Sequence, residues 1–206
     1  MADLLLIHGT WGRAASWHRP GGGFRVAAEQ RGWTVHDFLW SGVLAGVPTK
    51  LPGDPAEAAN GADEGNLLPW LDAGEKLAMF LKFRGLDRPC VLTHSHGIQV
   101  VTFSTWRLAE YHHAVSISGP IRRDMQRARR YAKAHIASWT QFADDTGSDQ
   151  TIIEGEWDDG EWPLKAAFTL PEGETILTPG LGHSGFFASP PWWARALDLL
   201  EGSGLA

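Results

Sequence analysis

The segment Thr93-His94-Ser95-His96-Gly97 has the residue types needed for nucleophilic attack on a carbonyl. It lies between the apolar run Cys90 to Leu92 and a helical pattern, which places Ser95 on a sharp strand-to-helix turn. Such a turn strains the serine backbone and exposes its hydroxyl. The two backbones must also approach closely. Gly97 supplies the small residue this requires, whereas Thr93 stands where a second glycine is more usual. A serine hydroxyl needs a base within hydrogen-bond reach, and an imidazole has a suitable unperturbed pKa of about 6.5. Of the nine histidines, His183 fits best, in the loop Gly180-Leu181-Gly182-His183-Ser184-Gly185 after the last apolar run. That loop would emerge at the same sheet edge as the serine.

A third group must orient the imidazole. Asp144, Asp145 and Asp149 follow the apolar run that ends near Phe142. Asp149 follows Gly147-Ser148 and precedes Ile152-Ile153, so it can sit at a turn and point inward; it is the first choice, Asp145 the second and Asp144 the third. The turn His8-Gly9-Thr10-Trp11-Gly12 directly follows the first apolar run. It can aim a backbone amide at a developing oxyanion, a contact worth roughly 3–4 kcal/mol of barrier. The two donors are assigned to the amides of Thr10 and His96, with Trp11 as substitute for Thr10. Trp11, Trp17, Trp40 and Phe186, with Phe187, flank these loops and are candidates for an apolar acyl pocket, although each ring alone reads more readily as packing. His94 and His96 also have the spacing of an H-x-H metal pair. No third ligand is evident in the sequence, so no metal site is expected.

These residues need elements to position them. Apolar runs at Leu4 to Ile7, Thr34 to Trp40, Cys90 to Thr93, Ala114 to Ser118, Ile136 to Phe142 and Thr175 to Leu177 alternate with helical patterns. That alternation predicts a mostly parallel sheet of about six strands with helices on both faces, an α/β fold. Asp72 with Glu75 reads as a helix N-cap, followed by the stripe Leu77, Phe80 and Leu81 and a stop near Gly85. Val100, Val101, Ser104 and Leu108 share one helical face after Gly97, and Met125, Ala128, Ala132 and His135 share another. A last helix is expected from Trp192 to Leu200, started by Pro190-Pro191. Ser41 to Gly65 and Glu154 to Trp162 read as loops.

Composition is consistent with one globular domain over residues 1–206, with 43% hydrophobic and 20% charged residues. A net charge of -6 argues against general nucleic-acid binding. The amino-terminal run is too short for a secretory leader or membrane span, so a cytoplasmic protein is expected. The single cysteine, Cys90, reads as a buried strand thiol.

The order Ser95, Asp149, His183, preceded by His8-Gly9-Thr10, resembles the α/β-hydrolase superfamily, particularly its small esterases and lipases. The resemblance spans nearly the whole chain. It implies a Ser-Asp-His triad and two-step acyl transfer on a small-molecule ester, with no metal or organic cofactor. It also implies that the first two strands usual in the superfamily are missing. Hydrolysis of an amide, lactone or thioester would use the same groups, and loss of catalysis would leave a binding protein. The superfamily's lid position falls at Gly119 to His135, a short basic segment with Arg122, Arg123, Arg127, Arg129, Arg130 and Lys133. It reads as an amphipathic helix with a solvated basic face, or as a contact for an anionic group.

Overall fold

A computed structural model describes residues 2–9, 12–40, 64–119, 132–144 and 173–202. Four apolar residues in a row open the chain, and Leu4, Leu5, Leu6 and Ile7 are all completely buried. A strand alternates its side chains, so such a run requires cover on both faces. Leu5 and Ile7 pack into one cluster with Trp70, Leu77, Val100 and Phe103. Leu4 and Leu6 pack into the other with Phe24, Leu92, Phe142 and Leu197. Each leucine taken wholly out of water contributes roughly 1.5–3 kcal/mol.

The strands are β1 (Asp3–Ile7), β2 (Thr34–Phe38), β3 (Cys90–His94), β4 (Tyr111–Ile117), β5 (Ile136–Ala143) and β6 (Gly173–Leu177). They form one sheet in the order β2-β1-β3-β4-β5-β6, with every neighbouring pair parallel. Helices α2 (Glu64–Arg84) and α3 (Gly97–Ser104) cover one face. Helices α1 (Gly23–Gln30) and α5 (Pro190–Gly202) cover the other, and the one-turn α4 (Gly182–Gly185) leads into α5. The chain therefore has the expected α/β architecture with six parallel strands.

The strand order also places the functional end. The chain steps from β1 outward to β2, then crosses back over β1 to β3, so the direction of winding reverses between β1 and β3. Loops leaving the carboxyl ends of such a pair diverge and leave a crevice, where ligands bind in open α/β sheets. The turn at His8-Gly9 and the turn at Ser95 leave these two strand ends.

Several boundaries differ from the expectation. Asp72 is no cap: α2 begins at Glu64, so residues 64 and 65 are helix rather than loop, and Asp72 accepts a hydrogen bond from Lys76 one turn on, at 2.6 Å. Leu108 does not share the buried face of α3. The helix tightens into a 3-10 turn after Ser104, and Leu108 caps it in the left-handed region at φ +61°, mostly exposed. Strand β2 stops at Phe38, before Trp40. Residues 132–135 are helical, but Met125 and Ala128 lie outside the described residues, as do the rest of the basic segment 120–131 and the loop 154–162. Among the described residues no helix is long and apolar enough to cross a membrane.

Candidate active site

Ser95 follows the last residue of β3 and adopts φ +49°. A non-glycine residue in this region costs on the order of 1–3 kcal/mol, so the surroundings must hold it there. They do so on both sides. The Ser95 amide donates to the Ile117 carbonyl at the end of β4 (2.8 Å), and the Ser95 carbonyl accepts from Ile98 in the first turn of α3 (3.3 Å). The same device recurs one strand over, where Ser118 at φ +49° donates its amide to the Phe142 carbonyl at 2.7 Å.

Two glycines make room for the turn. A Cβ on Gly97 would sit 2.8 Å from the Ile7 carbonyl and 2.9 Å from that of His8, so α3 lies directly against the end of β1. A Cβ on Gly9 would lie 2.7 Å from the Ser95 Cβ. The turn after β1 is therefore in contact with the serine. Thr93, where glycine is more usual, is accommodated as a completely buried strand residue. Its Oγ1 has no hydrogen-bond partner among the described residues.

His183 lies on α4, reached through Gly180 at φ +77° and Gly182 at φ +62°, conformations that suit glycine. His94 meets it across the crevice: Nε2 donates to the His183 carbonyl at 3.0 Å, and the two ring centroids are 5.0 Å apart. On the other side of this loop the Gly182 amide donates to Asp144 Oδ2 at 2.9 Å. Asp144 follows β5 directly and is completely buried. The structure thus gathers the Ser95 turn, the His183 loop and Asp144 at the carboxyl ends of β3, β5 and β6. Asp149 and Asp145 lie outside the described residues.

The turn after β1 is closed by a hydrogen bond from the Gly12 amide to the Gly9 carbonyl, 3.0 Å. Thr10 and Trp11, between these glycines in sequence, are also outside the described residues. His96 immediately precedes α3, at the end where helical amides lack intrahelical partners and the helix dipole favours negative charge. Its ring stacks on Trp70 at 5.2 Å, while the His94 ring faces His183 and Phe187. The two histidines therefore point to different neighbours, and no cluster of metal-ligating residues occurs among the described residues.

A continuous line of rings runs from the His183 loop to the turn after β1. His94 meets Phe187 edge-on, Phe187 stacks on Trp17 at 4.1 Å, Trp17 meets His18, His18 stacks on His8 and His8 stacks on Trp40. Trp17 and Trp40 are buried in this wall, and Trp40 Nε1 also donates to the His8 carbonyl at 2.8 Å. Phe186 packs instead against Phe24 and Phe142 beneath the sheet. Burial is the largest influence on His8 and holds its pKa below the ordinary imidazole value, against the hydrogen bond between Nδ1 and the Gly9 carbonyl. Sequence reasoning missed His18, Asp37 and the part played by His94. No spacing marks the first two, because their partners come from separate elements; His94 was visible only as a possible metal ligand.

No protein-family model matches the chain, and no curated protein matches it in sequence. Solved structures do. A monoacylglycerol lipase from Paleococcus ferrophilus superposes with TM-score 0.62 at 12% identity, covering 98% of this chain and 95% of that one. A proline iminopeptidase from Mycobacterium smegmatis gives TM-score 0.62 at 13% identity, covering 98% and 90%. An α/β-hydrolase fold protein from Nakamurella multipartita gives 0.60 at 14% identity, covering 98% and 93%. The fold of this chain is that of the α/β-hydrolases.

Proposed function

We propose that the protein is a serine hydrolase cleaving carboxylic esters of short or medium acyl chain through an acyl-enzyme on Ser95. The observation that carries this reading is the left-handed Ser95 at a strand-to-helix turn whose neighbour His94 is bonded to the His183 loop. In this mechanism His183 takes the Ser95 proton as the hydroxyl attacks the carbonyl carbon. The oxyanion is held by the amides of Thr10 and His96. His183 then protonates the leaving alcohol, and afterwards activates the water that releases the acid and restores Ser95.

The orienting acid in this proposal is Asp149. Asp144 is a second candidate on a specific observation: its buried carboxylate already bonds the amide next to His183. The acyl pocket is proposed along the ring wall of Trp17 and Trp40, with Trp11 as a further member; Phe186, buried against Phe24 and Phe142, belongs to the core instead. A lipase and a peptidase share the fold, so the ester assignment rests on a substrate test. Purified protein should hydrolyse p-nitrophenyl esters, and Ser95→Ala should abolish that activity. Turnover of amides, lactones or thioesters with no ester cleavage would reassign the substrate class. No turnover of any acyl substrate would favour a binding protein.

A further inference from the structure

We propose that His18 and Asp37 form a positioning pair that holds the turn after β1 in the geometry of an oxyanion hole. This rests on the serine-hydrolase reading above and deepens it. His18 comes from a 3-10 turn over Ser16–His18 and is completely buried. Its Nδ1 lies 2.9 Å from Oδ1 of Asp37 on β2, and its Nε2 lies 3.1 Å from the Gly12 carbonyl. The ring thereby bridges the Asp37 carboxylate and the Gly12 carbonyl, one through each nitrogen.

A polar bridge through a completely buried ring is a costly way to fill space, because well-packed apolar residues of similar volume are commonly as stable or more so. What the pair provides is direction. The ring is held edge-on by Trp17 (5.0 Å) and face-on by His8 (5.4 Å), so its Nε2 is aimed at one place. That place is the far end of a turn whose near end is held as well, since the Gly9 carbonyl meets both the Gly12 amide and His8 Nδ1. Thr10 and Trp11, the two candidates for the donor amide, lie between these anchored glycines in sequence. Gly9 also touches Ser95. His18 and Asp37 thus fix one wall of the crevice relative to the nucleophile. Neither needs to contact substrate.

The test uses the full chain and a fluorophosphonate probe, whose attack by Ser95 also develops charge on an oxygen in the hole. His18→Phe keeps the ring volume and its stacking and removes both hydrogen bonds. We expect the maximal labelling rate to fall by about 10- to 100-fold, a partial loss of one oxyanion donor. The probe's KI should stay within about twofold, because a positioning effect on the transition state spares ground-state binding. Asp37→Asn, which can still accept from Nδ1 but lacks the charge, should give a smaller loss of the same kind. It decides the matter alone if His18→Phe does not fold. An unchanged labelling rate in a folded variant, or a loss confined to KI, would overturn the proposal. Failure of the wild-type protein to label at Ser95 would instead overturn the serine-hydrolase reading.

Discussion

His94 Nε2 donates to the backbone carbonyl of His183 at 3.0 Å, joining the residue before the proposed nucleophile to the proposed base. His94→Phe keeps an aromatic ring against Phe187 and loses this tie. A base displaced by about 1 Å costs roughly 100-fold. We therefore expect kcat to fall by about that factor with the fold intact, measured on the best ester of a panel.

The close approaches at Gly9 and Gly97 predict strong effects from a single methyl. Gly97→Ala pushes α3 away from the backbone carbonyls of Ile7 and His8 at the end of β1, and Gly9→Ala presses on the Ser95 Cβ. Backbone cannot rotate aside as a side chain can, so each should cost about 1–3 kcal/mol in urea unfolding. Gly9→Ala should in addition lower activity more than its loss of stability explains.

Thr93 makes the opposite prediction. Its buried Oγ1 lacks a partner among the described residues, a state that costs about 1–3 kcal/mol relative to an apolar group of the same shape. Thr93→Val should raise the melting temperature and leave ester hydrolysis unchanged.

Acid should weaken the fold through His113 on β4. Burial, and then the neighbouring His112, push its pKa down to about 4. Unfolded, it titrates near about 6.5, so between these values the unfolded chain binds a proton that the folded one refuses. Stability is full above the higher value and declines as pH falls toward the lower one. The loss is on the order of 3 kcal/mol. Urea midpoints measured from pH 7 to pH 4 should fall, and His113→Gln should flatten that slope.

The orienting acid can be settled by two variants. Asp149→Asn should lower kcat by roughly ten-thousandfold, as loss of a triad carboxylate does, and Asp144→Asn should have a smaller effect. The reverse ranking would move the role to Asp144, whose bond to the Gly182 amide already fixes the His183 loop.

The sheet was legible because strands buried on both faces read as unbroken apolar runs, as Leu4 to Ile7 do. The strained serine was legible too, since Gly97 after an apolar run signals where a helix must crowd a strand. Asp72 misled because an Asp with a Glu three residues on also occurs inside a helix, where Asp72 pairs with Lys76. The brace from Asp37 through His18 to Gly12 was out of reach. It joins a strand, a 3-10 turn and a loop, and only the sheet order brings them together.

The central claim is that Ser95 is the nucleophile, and a fluorophosphonate probe followed by peptide mass mapping tests it most directly. The account predicts one adduct per chain, on Ser95, that disappears in Ser95→Ala while the variant remains folded. Labelling elsewhere, or none at all in folded wild-type protein, would contradict it.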